Sequence, residues 1–118
     1  RWRLRQTAAK AVEGAWNLTP FRSDECGERL TPYAERVINY GATGFLVVRQ
    51  ADDELIVKQY AWFENKDDWD RYWNSDLMAE CRAELLGHYA VPVLYTWQEV
   101  VTFGMLPEGE VATTPALD

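Results

Sequence analysis

A chain of 118 residues that is 47% hydrophobic, with six Trp, six Tyr and four Phe, holds enough apolar material for one globular domain with a sizeable core. A formal net charge of −7 repels phosphates, and the basic cluster Arg1, Arg3 and Arg5 reads as a solvated edge, so no nucleic-acid partner is expected. No apolar run spans a bilayer and the first residues lack the apolar region of a signal peptide, so no membrane partner is expected and the chain reads as cytoplasmic.

Residues 1–13 carry both a weak strand alternation (Trp2, Leu4) and a helical set (Leu4, Ala8, Ala11, Ala15), and periodicity alone does not separate them. From Val12 the alternation sharpens, with Val12, Gly14, Trp16 and Leu18 on one face and Glu13, Ala15 and Asn17 on the other. This predicts a first strand over about 10–19, ended by Pro20. The polar segment 21–30, with Gly27 inside, reads as a loop or a single helical turn. A helix is predicted from Thr31 as N-cap and Pro32 as first helical residue, carrying Tyr33, Val37 and Ile38 inward and ending before Gly41. GFLVVRQ (44–50) and LIVKQYAWF (55–63), separated by Ala51-Asp52-Asp53-Glu54, read as a hairpin. A long helical pattern follows over 66–86. Asn65 is its N-cap, Asp67 and Asp68 suit the positive end of the dipole, Trp69, Tyr72, Trp73 and Leu77 recur at helical spacing, and Gly87 stops it. VLYTWQEVVTF (93–103) is the last strand. The domain is therefore read as 1–104, with 105–118, rich in Pro and Gly, as an extension.

In order these elements are β-α-β-β-α-β, the ferredoxin-like α+β arrangement. In the hairpin, Leu46 and Val48 alternate with Phe45 and Val47, and Leu55 and Val57 with Ile56, Tyr60 and Trp62, so both sheet faces read as largely apolar. Helices cover one face only, and a second subunit is the simplest cover for the other, which predicts a homodimer. Cys26 and Cys81 form no C-x-x-C and have no histidine beside them, so free thiols are expected and no metal. The sequence carries no Gly-rich phosphate loop, H-E-x-x-H or nucleophile elbow.

The hairpin Gly41-Ala42-Thr43-Gly44-Phe45-Leu46-Val47-Val48-Arg49, the aromatic strand exit Tyr60-Ala61-Trp62-Phe63-Glu64 and the acidic-aromatic helix Asp68-Trp69-Asp70-Arg71-Tyr72-Trp73-Asn74-Ser75-Asp76 resemble the antibiotic-biosynthesis-monooxygenase-like branch of the dimeric α+β-barrel superfamily. The resemblance covers about residues 41–103. It implies a dimeric barrel with a pocket between sheet and helices, in a superfamily of cofactor-independent oxygenases, polyketide cyclases, heme-degrading oxygenases and members with no established reaction. Against the heme-degrading members the chain offers Asn17 on the first strand and Tyr72 or Trp73 on the helix. Cys81 or Arg82 stands where their axial histidine would be, and the single histidine, His88, comes about two turns later. No heme or other cofactor is therefore expected.

The chemistry the resemblance implies needs an apolar slot for a planar phenol or poly-ketone and a few polar groups to deprotonate it and steady an enolate. Trp16, Trp62, Tyr72, Trp73 and Trp97 are candidate walls, and Asn17, Tyr60, His88, Tyr95 and Arg49 candidate polar groups. Asn17 and His88 are the candidate catalytic pair, Asn17 because an amide expected on the helix side of its strand needs hydrogen-bond partners that a ligand can provide. Each residue also has a plain structural reading: aromatics at helical and strand spacing fill cores, a histidine after a helix end pairs with the dipole, and Arg49 pairs across its turn. The sequence thus predicts a partner that is a small aromatic or polyketide-like molecule. It leaves open a cofactor-independent monooxygenase or cyclase on one side and a non-catalytic binding or interaction module on the other. A third reading, a lipocalin-like barrel suggested by Gly14-Ala15-Trp16, requires the helical pattern of 66–86 to be strand.

Overall fold

A computed structural model describes residues 10–20 and 23–104, so the expectations for the arginine-rich start and for 105–118 fall outside the described residues. Its elements are β1 (Lys10–Asn17), α1 (Ser23–Glu35), a 3₁₀ turn (Arg36–Tyr40), β2 (Gly44–Arg49), β3 (Ile56–Phe63), α2 (Lys66–Trp73), α3 (Asp76–Glu84) and β4 (Leu94–Glu99). The four strands form one antiparallel sheet in the order β2-β3-β1-β4. This is the ferredoxin-like α+β fold, and the helices at α2 and α3 overturn the lipocalin-like reading.

Local chemistry explains most boundaries. The Asn65 side chain accepts from the Asp67 N–H at 2.9 Å, and Asp67 and Asp68 sit in the first turn of α2. Ser75 splits the long helical pattern in two: its hydroxyl donates to the Tyr72 carbonyl at 2.6 Å and accepts from the Met78 N–H at 3.2 Å, capping α3. Gly41 closes the 3₁₀ turn at φ 104°, a left-handed conformation that favours glycine, and a Cβ there would lie 2.6 Å from Asp68 Oδ2.

The first helix corrects the sequence reading. It begins at Ser23, eight residues before the expected Thr31 cap, and Pro32 lies inside it. Cys26, Leu30, Ala34 and Val37, spaced four, four and three residues apart, are all buried at 1% exposure or less, and this stripe holds the helix against the sheet despite Gly27 and Pro32. Thr31 serves α1 from within, donating its hydroxyl to the Gly27 carbonyl at 3.0 Å. Pro32 has no N–H to give, and the α-helix ends one turn later, at Glu35.

The inner sheet face presents Val12 and Trp16 of β1 and Val57, Gln59, Ala61 and Phe63 of β3 to the helices, with Trp69, Tyr72, Met78, Cys81 and Leu85 buried opposite. The outer face is more mixed than expected. Leu46, Val48, Ile56, Trp62 and Leu94 are partly or well exposed there, around a polar centre where Glu13 lies 3.7 Å from Lys58 and accepts from Gln98 at 3.0 Å.

Candidate functional site

Gln59 is the polar centre of the inner face. At 1% exposure it accepts from Trp16 Nε1 at 3.1 Å and donates to the Tyr72 hydroxyl at 2.9 Å, and Tyr72 donates to the Tyr33 backbone carbonyl at 2.9 Å. The chain of bonds ties β1, β3, α2 and α1 together, and burial pushes the Tyr72 phenol up, so it stays a neutral donor. Around it the expected aromatic walls come together. Trp16 meets Tyr89 and Trp73 edge-on at 4.9 and 5.9 Å, Trp73 stacks on Trp69 at 5.2 Å, and Tyr95 is edge-on to both Trp69 and Trp73 at 5.4 and 5.8 Å. Trp97 meets Phe63 at 6.2 Å, with the Lys66 ammonium 5.3 Å from its ring centre. Trp16, Trp73 and Tyr95 thus pack in one aromatic cluster of core and rim, which Tyr72 joins through Trp69 and Trp97 through Phe63.

The remaining candidates fall elsewhere. Tyr60 and Trp62 lie on the outer face, where burial and a bond to Glu13 push the Tyr60 phenol up and Trp62 meets Phe103 edge-on at 6.1 Å. Asn17 is exposed and pairs with Ile56 on that same outer face, contrary to the helix-side placement expected of it. The physical reason is strand parity: the alternation that turns Trp16 inward turns Asn17 outward. His88 is 9% exposed, its Nδ1 3.3 Å from the Leu86 carbonyl and its Nε2 3.7 Å from Glu25. Asn17 and His88 share the strand-end backbone, where the Asn17 carbonyl accepts from Ala90 at 2.7 Å and the His88 carbonyl from Thr19 at 2.8 Å, but no hydrogen bond joins their side chains.

Open space lies beside α1. One cleft of about 390 Å³ is lined by Gly27, Glu28 and Thr31 of α1 and by Val47, Val48, Arg49 and Val57 of β2 and β3. The bare backbone of Gly27 admits the Arg49 guanidinium, since a Cβ there would stand 2.6 Å from Arg49 Nη2. Another, of about 400 Å³, runs between α1 and α3, where the Tyr33 hydroxyl lies 2.8 Å from Glu84 and 3.3 Å from Glu80. Arg49 was legible as a polar group from the sequence. Gly27 and Glu28 were missed because 21–30 reads as a loop, and Thr31 because it reads as a helix cap; the signal that would have found them is the Cys26-Leu30-Ala34 spacing.

Cys26 and Cys81 are free and buried. Burial pushes the Cys81 thiol up to about 12, so it is protonated at neutral pH and poorly suited to ligate a heme iron, and both ring nitrogens of His88 face protein acceptors. The described residues do not fit a heme. Among them, no group of three or more His, Cys, Asp or Glu side chains is arranged to hold a metal, and no helix is long and apolar enough to cross a membrane.

No protein-family model and no curated protein matches the sequence. Solved structures do match. A candidate antibiotic biosynthesis monooxygenase from Nitrosomonas europaea superposes with a TM-score of 0.71 at 14% identity, covering 83% of this chain and 95% of its own. Another from Caulobacter crescentus gives 0.68 at 14% identity, covering 80% and 91%. A Mycobacterium tuberculosis protein gives 0.64 at 16% identity, covering 85% and 97%. The chain therefore has the ferredoxin-like α+β fold of the antibiotic-biosynthesis-monooxygenase-like structures, as its hairpin and acidic-aromatic helix imply. At these identities the likeness establishes the fold, and function rests on the site.

Proposed function

We propose that the protein is a homodimeric, cytoplasmic α+β-barrel protein that binds a small planar aromatic or polyketide-like molecule between α1 and the β2–β3 edge, and acts on it as a cofactor-independent monooxygenase or cyclase. The observation that carries this reading is the cleft of about 390 Å³. Its size falls within the range of about 300–1,000 Å³ typical of small-molecule sites. Val47 and Val57 offer apolar walls, and Thr31, Glu28 and Arg49 add a hydroxyl, a carboxylate and a guanidinium. Oxygenation and cyclisation of such molecules both start from an enolate or phenolate. Glu28 is the group at the cleft able to take that proton, and the Arg49 guanidinium stabilises the resulting anion. The partly apolar outer face, with Leu46 47% and Leu94 70% exposed, supports the dimer. The two free thiols suit a reducing compartment.

Oxygen uptake in the presence of anthrone-like compounds tests the reaction: uptake that depends on protein and falls in an Arg49→Gln variant supports the oxygenase. Binding without uptake or product leaves the second reading, a non-catalytic binding module. That reading is favoured by one observation, that Asn17 and His88 do not converge on a common space.

A further inference from the structure

The indoles of the core are in ring contact with one another and with a phenol at the surface. Trp16, fully buried, meets Trp73 edge-on at 5.9 Å, and Trp73 stacks on buried Trp69 at 5.2 Å with 19° between the planes. Tyr95 of β4, 38% exposed, touches Trp69 at 5.4 Å and Trp73 at 5.8 Å. Each separation lies in the contact range of aromatic pairs, close enough for an electron to pass from ring to ring. The polar ends of the rings set the direction. Trp69 Nε1 is buried with no hydrogen-bond partner, and Trp16 Nε1 donates at 3.1 Å to the Gln59 amide oxygen, which is no base. Neither indole can shed its N–H proton, so an electron taken from either leaves a radical cation in a dry core, where a charge is costly. The Arg82 guanidinium, 5.2 Å from the Trp73 ring centre, repels a positive charge resting on that ring. Tyr72 also touches Trp69, at 5.3 Å, but its hydroxyl donates to a backbone carbonyl and burial holds the phenol protonated. Tyr89, 4.9 Å from Trp16 and 8% exposed, is held protonated by burial in the same way. Tyr95 is the phenol of the cluster that reaches water and can release its proton there.

We propose that the stack of Trp16, Trp73, Trp69 and Tyr95 is a charge-transfer path that carries an oxidising equivalent out of the core, from an indole oxidised by an oxygen-derived radical to the Tyr95 phenol at the surface. The indole gives one electron to the radical and becomes a radical cation. One electron then moves from Tyr95 through the stacked rings and restores the indole. The Tyr95 phenol passes its proton to water and is left as a neutral tyrosyl radical, which a thiol or ascorbate in solution repairs with one electron and one proton. Damage thus ends on an exposed ring that a reductant can reach, and the core indoles are preserved. The path shares no residue with the cleft beside α1 and does not rest on the reaction proposed there, so either can fail alone.

The test is pulse radiolysis with the azide radical, a one-electron oxidant of indoles. A Trp2→Phe, Trp62→Phe background removes the outer-face indole and the one near the chain start, and into it Tyr95→Phe and Tyr33→Phe are introduced singly. The expected result is an indolyl absorption that decays as a tyrosyl absorption rises, at a rate independent of protein concentration. Tyr95→Phe, which keeps the ring and its contacts, is expected to lose the tyrosyl rise and to prolong the indolyl signal. Tyr33→Phe is the control, because the Tyr33 hydroxyl has a proton acceptor in Glu84 at 2.8 Å but its ring meets no indole among the described residues, and it is expected to behave as the background does. A tyrosyl rise that survives Tyr95→Phe, that is lost instead in Tyr33→Phe, or whose rate scales with protein concentration overturns the proposal, as does the absence of any rise. If the background does not fold, the otherwise natural chain decides by peptide mapping after the same radical dose. More oxidised Trp16 and Trp69 in Tyr95→Phe than in the wild type supports the path, and equal amounts refute it.

Discussion

Replacing Gln59 by Leu isolates the polar link at the centre of the core. The wild-type amide is the acceptor for Trp16 Nε1, and both residues are at 1% exposure or less, so Gln59→Leu leaves the indole N–H without a partner in a region closed to water. An unsatisfied buried donor costs about 1–3 kcal/mol. The Tyr72 hydroxyl loses the bond from Gln59 but keeps its own to the Tyr33 carbonyl, adding about 0.5–1 kcal/mol. Leu is similar in volume to Gln, so cavity terms are small, and the sum is about 1.5–4 kcal/mol, or on the order of 10 °C in Tm for a domain of this size. Urea unfolding followed by far-UV circular dichroism measures it, with the midpoint expected to fall at constant m. A double-mutant cycle with Tyr72→Phe is expected to show a coupling of at least about 0.5 kcal/mol. A loss below about 0.5 kcal/mol for Gln59→Leu refutes the link as a stabilising element.

Ser75→Ala removes the N-cap of α3 and its bond to Tyr72, and is expected to cost about 1 kcal/mol in the same urea assay, with Ser75→Thr or Ser75→Asp recovering most of it. Cys81 holds its proton up to about 12 in the folded chain against 9.0 ordinarily, because burial disfavours the thiolate. Unfolding therefore releases that proton above pH 9, so its contribution is intact below pH 9 and declines at about 1.4 kcal/mol per pH unit from there toward 12. Cys81→Ala is expected to flatten the alkaline limb of stability against pH, and an unchanged limb contradicts the assignment. Leu46→Asp, on the outer face and 47% exposed in the single chain, is expected to shift sedimentation from dimer toward monomer with the fold retained. A wild type that sediments as a monomer at micromolar concentration removes the dimer.

The sheet was legible because strand parity is a strict signal: the hairpin limits and the grouping of Val12, Gly14 and Trp16 on one face follow from a period of two, while which face meets the helices did not. The second helical region was legible from its cap and aromatic stripe, while its division at Ser75 depends on a single side chain making two bonds. The first helix was hidden because Gly27 and Pro32 punctuate it and its buried stripe includes a cysteine and an alanine, weak hydrophobic markers held in place by the sheet. That same misreading concealed the cleft, half of which is built from α1. Gln59 was hidden for the opposite reason. One amide in an apolar register looks like an outward residue until its partners, 43 residues away at Trp16 and 13 away at Tyr72, are brought to it. Asn17 alternates with inward Trp16 and so lies on the outer face, where water and not a ligand can satisfy its amide.

The measurement that bears most directly on the cleft is a calorimetric titration of a 1,8-dihydroxyanthrone into the wild type and into Thr31→Trp. Thr31 is exposed on the α1 rim, so the indole fills the cleft from outside without entering the core. The account predicts saturable binding to the wild type, weakened at least about tenfold in Thr31→Trp, with urea stability unchanged within about 0.5 kcal/mol. Equal affinity in the two proteins, or no saturable binding to the wild type, contradicts it.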